Sequence, residues 1–101
     1  MAILVIFIGQ GFTKQMYEDL RKEIGWESNP PAGEILHAAG LDNSGNIQVV
    51  DLWQSEQDFN NFVNTRLKPG MDKINMPMPK GELYQVHNVN AFQGIDSFKI
   101  K

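Results

Sequence analysis

Apolar side chains run without a break from Ala2 to Ile8 and stop at Gly9-Gln10-Gly11. A short apolar run, rich in β-branched and aromatic residues and closed by glycines, predicts a buried strand followed by a turn. The period then changes. Met16, Tyr17, Leu20 and Ile24 fall on one face of a helix that Thr13 can cap at its start and Gly25 at its end. Residues 26–33 (WESNPPAG) carry two prolines and a glycine and read as a connection. On either side of Asp42-Asn43-Ser44-Gly45, the stretches Glu34–Leu41 and Asn46–Gln54 predict a β-hairpin.

Ser55 followed by Asp58 forms a capping box with Asp in place of the usual Glu, and Phe59, Phe62, Val63 and Leu67 then recur at helical spacing. This second helix should lose its regularity near Leu67, because Pro69 disfavours the helical conformation at Lys68 and Gly70 weakens the next turn; Met71–Ile74 can add one short turn of helix. MPMPKG (76–81) is a loop, Glu82–Phe92 alternates well enough for a last strand, and residues after Gln93 form a tail.

The order strand, helix, strand, strand, helix, strand predicts an α+β, ferredoxin-like βαββαβ fold, with a four-stranded antiparallel sheet and both helices on one face. At 101 residues the whole chain, 1–101, is one domain. The first strand is apolar on both faces: Ile3, Val5 and Phe7 point one way, Leu4, Ile6 and Ile8 the other. Two helices cover one face only, and a bare apolar face of several hundred Å² is unusual on a monomer. A second copy of the sheet in a two-fold homodimer is the most economical cover.

Charge and composition remove several classes of partner. Net charge is -3 and the nine Lys and Arg are scattered, so no basic stripe exists to neutralise phosphates, and nucleic acid is not expected as a partner. The opening apolar run is far shorter than the ~20 residues of a membrane span and has no basic leader. Absence of cysteine excludes disulfides, thiolate chemistry and Cys-based zinc sites, and suits a cytoplasmic protein. Gly9-Gln10-Gly11 lacks the rest of a dinucleotide fingerprint, and with two histidines and scattered carboxylates neither a metal site nor a cofactor is expected.

Candidate chemistry centres on His37 and His87, each within a predicted strand. Imidazole titrates nearest neutrality, so either is a candidate acid or base, against the plainer role of a hydrogen-bonded strand residue. Hairpin register decides the matter for His37. An odd loop centred on Ser44 places His37 opposite Asp51, Ala39 opposite Val49 and Ile35 opposite Trp53, with Cβ atoms of each pair about 4.5–5.5 Å apart. Asp51 would then orient the imidazole; an even loop pairs Ala38 with Asp51 and breaks the scheme.

The stretch VVDLWQSEQDFNNFV (residues 49–63), a strand ending in Trp, a short polar cap and a Phe-bearing helix, resembles the dimeric α/β barrel superfamily, specifically its antibiotic biosynthesis monooxygenase-like group. The resemblance spans nearly the whole chain and implies a homodimer joined through the sheet face. Trp53 also matches the heme-degrading branch, but that branch's strand Asn and helix His have no counterpart here: Phe7 and Ile8 end the first apolar run, and residues 56–76 contain no histidine. What the resemblance implies is a cofactor-independent monooxygenase acting on an aromatic or quinone-like small molecule. His37 would be the base and Asp51 its orienter. Trp53 and Tyr84 would be substrate walls, with Asn88 as a donor and His87 at a composite site where the two sheet edges meet across the dimer. The alternative is a non-catalytic homodimeric module that binds a ligand or is purely structural, with no sizeable pocket and both histidines satisfied internally.

Overall fold

The computed structural model describes residues 1–100. Strand β1 (Ile3–Thr13) leads into helix α1 (Lys14–Ile24), followed by the hairpin of β2 (Glu34–Leu41) and β3 (Asn46–Trp53). Helix α2 (Glu56–Phe62), a π-helical turn (Val63–Leu67) and α3 (Lys68–Lys73) form one continuous helical run before β4 (Lys80–Gln85) and a closing 3₁₀ helix (Gln93–Phe98). The sheet is antiparallel with order β2-β3-β1-β4, the expected ferredoxin-like arrangement.

Alternation along the two central strands sorts the side chains as expected. Ile3, Val5 and Phe7 of β1 and Ile47, Val49 and Trp53 of β3 face the helices, where they pack with Leu20, Phe59, Leu67 and Met71. The other face carries Leu4, Ile6, Ile8, Val50 and Leu52, of which Ile8 and Val50 are exposed. Thr13 caps α1 through its hydroxyl, which accepts from Met16 N–H at 3.1 Å, and Gly25 ends it in the left-handed conformation at φ 67°. Ser55 Oγ accepts from Asp58 N–H at 3.1 Å, the cap expected for α2.

Four expectations are corrected. First, β1 does not turn at its glycines but continues to Thr13 past an irregularity between Ile8 and Thr13. The Gln48 side chain bridges the gap, accepting from Gly9 N–H at 3.1 Å and donating to Gly9 C=O at 3.3 Å. Second, Pro69 does not end the helical run. The π-helical turn shifts the pairing to Lys68 N–H with Val63 C=O, and Pro69 then sits in the first turn of α3, where its missing N–H is tolerated.

Third, the last strand covers Lys80–Gln85 only, leaving His87 and Asn88 beyond it. Val86 N–H still bonds to Ala2 C=O at 3.0 Å, but β1 begins at Ile3 and offers no ladder partners further on. Fourth, the hairpin pairs His37 with Asp51 and Ala39 with Val49, the odd-loop register, but Trp53 faces Glu34 and not Ile35. A bulge between Glu34 and Leu36 inserts the extra residue. The expected tail contains the 3₁₀ helix Gln93–Phe98, none of whose residues is buried.

Candidate active site

Three elements bring one titratable group each to the helix-facing side of the sheet. Tyr17 projects from the apolar stripe of α1, His37 from the middle of β2 and Asp51 from β3 directly across from it. His37 Nδ1 lies 2.7 Å from Asp51 Oδ1, and its Nε2 lies 2.6 Å from the Tyr17 hydroxyl. A carboxylate can only accept, so Nδ1 carries the proton it donates to Asp51; in the neutral ring Nε2 then accepts the Tyr17 O–H.

Asp51 is the one buried charged residue among the described residues, at 5% exposure. Burying a carboxyl without a partner is costly, and His37 is the partner that makes this position tolerable. Aromatic packing fixes the imidazole further: the Trp26 ring lies 5.1 Å from it, centroid to centroid, and Tyr17 in turn packs on Trp26 at 5.6 Å and on Phe12 at 6.2 Å. Burial pushes the Tyr17 phenol up to about 12, helped by the negative charges of Glu27, Glu18 and Asp51 and opposed by Arg21. The phenol therefore keeps its proton through neutral pH and serves as a donor.

A narrow cleft opens beside these groups. Its free interior is about 40 Å³, room for a few water molecules, so a larger ligand has to displace side chains at the mouth. Tyr17, Trp26, His37 and Asp51 line it together with apolar side chains that include Phe7, Leu20 and Met71. An apolar cleft with a few convergent polar atoms is the usual form of a small-molecule site.

Sequence reasoning missed Tyr17 as a polar participant and Glu34 entirely. Tyr17 was visible only as part of an apolar helix stripe, since no spacing rule links it to a strand histidine. Glu34 reaches the cluster only because of the bulge. Its carboxyl lies with a His37 ring nitrogen and an Asp51 oxygen inside a group whose donor atoms are all within 4.8 Å of one another. Burial, then the neighbouring charge of Asp51 and a hydrogen bond with it, push the Glu34 carboxyl up to about 9, against the pull of Arg66. A divalent cation drawing on Nδ1 and Oδ1 would have to displace the proton between them; the 2.7 Å contact describes a hydrogen-bonded array.

The other expected site residues lie elsewhere in the chain. Trp53 is fully buried beside Phe59 and Phe62 and does not line the cleft; its indole N–H has no hydrogen-bond partner. Tyr84 pairs with Leu4 on the opposite sheet face, is 48% exposed and donates its hydroxyl to Glu82. His87 and Asn88 line a separate, wider groove with Leu4, Leu52 and Val86, on the face turned away from the helices. Within one chain, therefore, the six expected residues do not form one site: His37 and Asp51 line the cleft, His87 and Asn88 the outer groove, and Trp53 and Tyr84 neither.

No family model matches the sequence, and no curated protein matches it. Solved structures do match in fold. A conserved protein from Methanosarcina mazei superposes with TM-score 0.64 at 17% identity, covering 84% of this chain and 92% of its own. SnoaB, a cofactor-independent oxygenase from Streptomyces nogalater, gives TM-score 0.58 at 10% identity over 87% of this chain and 92% of that one. A provisionally assigned antibiotic biosynthesis monooxygenase from Deinococcus radiodurans gives 0.62 at 15% identity, over 93% of this chain and 100% of the other. The chain thus shares its α+β fold with solved proteins that include a cofactor-independent oxygenase and a protein of no stated activity. Such low identities carry the fold and not the chemistry.

Proposed function

We propose that the protein binds a flat, weakly acidic aromatic or quinol-like molecule in the cleft beside Tyr17, Trp26 and His37, which widens by side-chain movement to admit it, and oxygenates it without a cofactor. The observation that carries this reading is the Tyr17–His37–Asp51 array, in which one imidazole nitrogen is fixed by a buried acid and the other meets a proton donor at the cleft. His37 Nε2 is the base. When substrate displaces the Tyr17 hydroxyl from that nitrogen, His37 takes a proton from an acidic C–H or phenol O–H, and the charge developing on the substrate oxygen is met by the Tyr17 O–H.

The electron-rich carbanion then transfers an electron to dioxygen, and the two radicals combine to form a carbon–oxygen bond. Protonation and loss of water from the hydroperoxide leave a carbonyl, so that one CH₂ and one O₂ become one C=O and one H₂O. Asp51 holds the ring in the tautomer that leaves Nε2 free to accept and stabilises the imidazolium that forms. SnoaB, which shares the fold, is a cofactor-independent oxygenase, and this adds weight to oxygenation among the reactions a base could start.

The apolar outer face, with Ile8 and Val50 exposed beside Leu4 and Ile6, supports a homodimer closed through the sheets. In it His87, Asn88 and Tyr84 would lie at or near the subunit junction. Trp53 is assigned to the core, and the substrate wall expected of it passes to Trp26.

Oxygen uptake with a panel of anthrones and hydroquinones tests the proposal. The parent protein should consume one O₂ per substrate converted, and His37→Ala should lose at least about a hundredfold in kcat/KM, the usual contribution of a general base. A His37→Ala protein as fast as the parent would remove the assignment. The rival reading, a non-catalytic homodimeric module that binds a ligand or is purely structural, predicts oxygen uptake by neither protein.

A further inference from the structure

In a regular strand, residues three apart point to opposite faces. Glu34 and His37 are three apart, yet their donor atoms lie within 4.8 Å of each other and of Asp51. The bulge between Glu34 and Leu36 is what makes this happen, since the inserted residue turns Glu34 onto the helix-facing side and leaves Ile35 50% exposed. Bulges of this kind commonly re-aim a side chain beside an active site. Here the result is an acid placed beside the His37–Asp51 pair.

The charged and titratable groups around that acid come from several elements. Asp51 faces it from β3 and His37 from its own strand; Arg66 approaches from the π-helical turn, and Tyr17 from α1 stands beyond the imidazole. Glu27, on the connection after α1, is held by Arg21 through paired contacts, one of them 2.7 Å long. Arg66 is only a partial counter-charge for Glu34, because one guanidinium nitrogen donates to Ile24 C=O at 3.1 Å while the group lies over the Phe62 ring. Two adjoining carboxyls with so little positive charge nearby do not both ionise. Asp51 already accepts from His37 Nδ1, so Glu34 is the one placed to keep a proton and to donate it in a hydrogen bond.

We propose that Glu34 is a positioning residue for the His37 base: its carboxylic acid donates a hydrogen bond to Asp51 and so holds the Asp51 carboxylate in the orientation that receives the His37 Nδ1–H. The four groups then form one series, Glu34 to Asp51 to His37 to Tyr17, with each member orienting the next. The direction in which burial and Asp51 push the Glu34 carboxyl agrees with this. The catalytic part of the inference rests on the oxygenase reading above, whereas the hydrogen-bonded series does not.

The test uses the full-length protein and the variants Glu34→Gln and Glu34→Ala. Infrared difference spectra should show the carbonyl stretch of a protonated carboxyl at pH 7 in the parent and its loss in Glu34→Gln. In proton NMR, the hydrogen-bonded Nδ1–H of His37 should be visible in the parent and in Glu34→Gln, whose amide can still donate to Asp51, and should be lost by exchange in Glu34→Ala. In oxygen uptake, Glu34→Gln should stay within about threefold of the parent and Glu34→Ala should fall at least about tenfold in kcat with KM little changed, as expected of a misplaced base. Absence of a protonated-carboxyl band that depends on Glu34, or survival of the Nδ1–H signal in Glu34→Ala, overturns the proposal. Should Glu34→Ala fail to fold, the infrared comparison with Glu34→Gln decides. A panel without any substrate would sink the oxygenase reading alone, because the two spectroscopic results need no substrate.

Discussion

Replacing Glu34 by Gln should stabilise the protein, and increasingly so as pH rises. In the unfolded chain the Glu34 carboxyl ionises around its ordinary value of 4.5, whereas in the fold burial and Asp51 hold the proton up to about 9. Between those limits the folded state binds one more proton than the unfolded state, so stability falls as pH increases. One pH unit in that window is worth about 1.4 kcal/mol. From 4.5 to pH 7 the accumulated cost is thus roughly 3 kcal/mol, a substantial part of the roughly 5–15 kcal/mol that holds a small domain folded. Gln carries no proton to lose and keeps a donor for Asp51. Urea denaturation of parent and variant at pH 5, 7 and 8, at one protomer concentration, measures the difference. Near-equality at pH 5 and an advantage for Glu34→Gln of about 2–3 kcal/mol at pH 7, widening at pH 8, is the expected pattern. Parallel pH dependences in the two proteins, or a destabilised Glu34→Gln at pH 8, would refute the reasoning. A partly buried acid that costs the fold this much is the kind of group expected to have a role in the site.

Three other substitutions have expected outcomes. Tyr17→Phe leaves Nε2 without its 2.6 Å partner and should lower kcat by about one to two orders of magnitude while leaving ligand binding largely intact, as read by oxygen uptake and calorimetry. Trp53→Phe removes a buried N–H that has no partner as well as some buried area; the two effects oppose each other, and chemical denaturation should place the variant within about 1 kcal/mol of the parent. Ser55→Ala removes the cap of α2 and should cost about 1 kcal/mol by the same assay.

How much of the fold and site is legible in the sequence varies with the range of the interaction. Strand alternation, the Thr13 and Ser55 caps and the Gly25 terminus are local signals, and they place the elements and the sheet. The His37–Asp51 pairing is legible because it needs only the hairpin register. What escapes depends on an extra residue or a distant neighbour. The bulge that moves Glu34 opposite Trp53 has no glycine within it to announce it, and it changes which side chains face the cleft. Continuation of the helical run past Pro69 needs the wider π-helical turn at Val63–Leu67, which a rule based on the residue before proline does not contain. Tyr17 and Trp26 reach His37 only when α1 packs onto the sheet. The segment containing His87 and Asn88 alternates like a strand but has no partner strand to make it one.

The central claim is that the cleft inside the chain, between the helices and the sheet, is where a ligand meets His37. Chemical-shift mapping with a non-oxidisable flat phenol on ¹⁵N-labelled protein tests it directly. The account predicts saturable shifts of the Trp26 indole N–H and the His37 ring nitrogens, with the Asn88 side-chain amide unmoved; in Trp26→Ala the His37 shifts should no longer saturate. Shifts confined to His87, Asn88 and neighbours on the outer sheet face, with Trp26 and His37 unchanged, would contradict it.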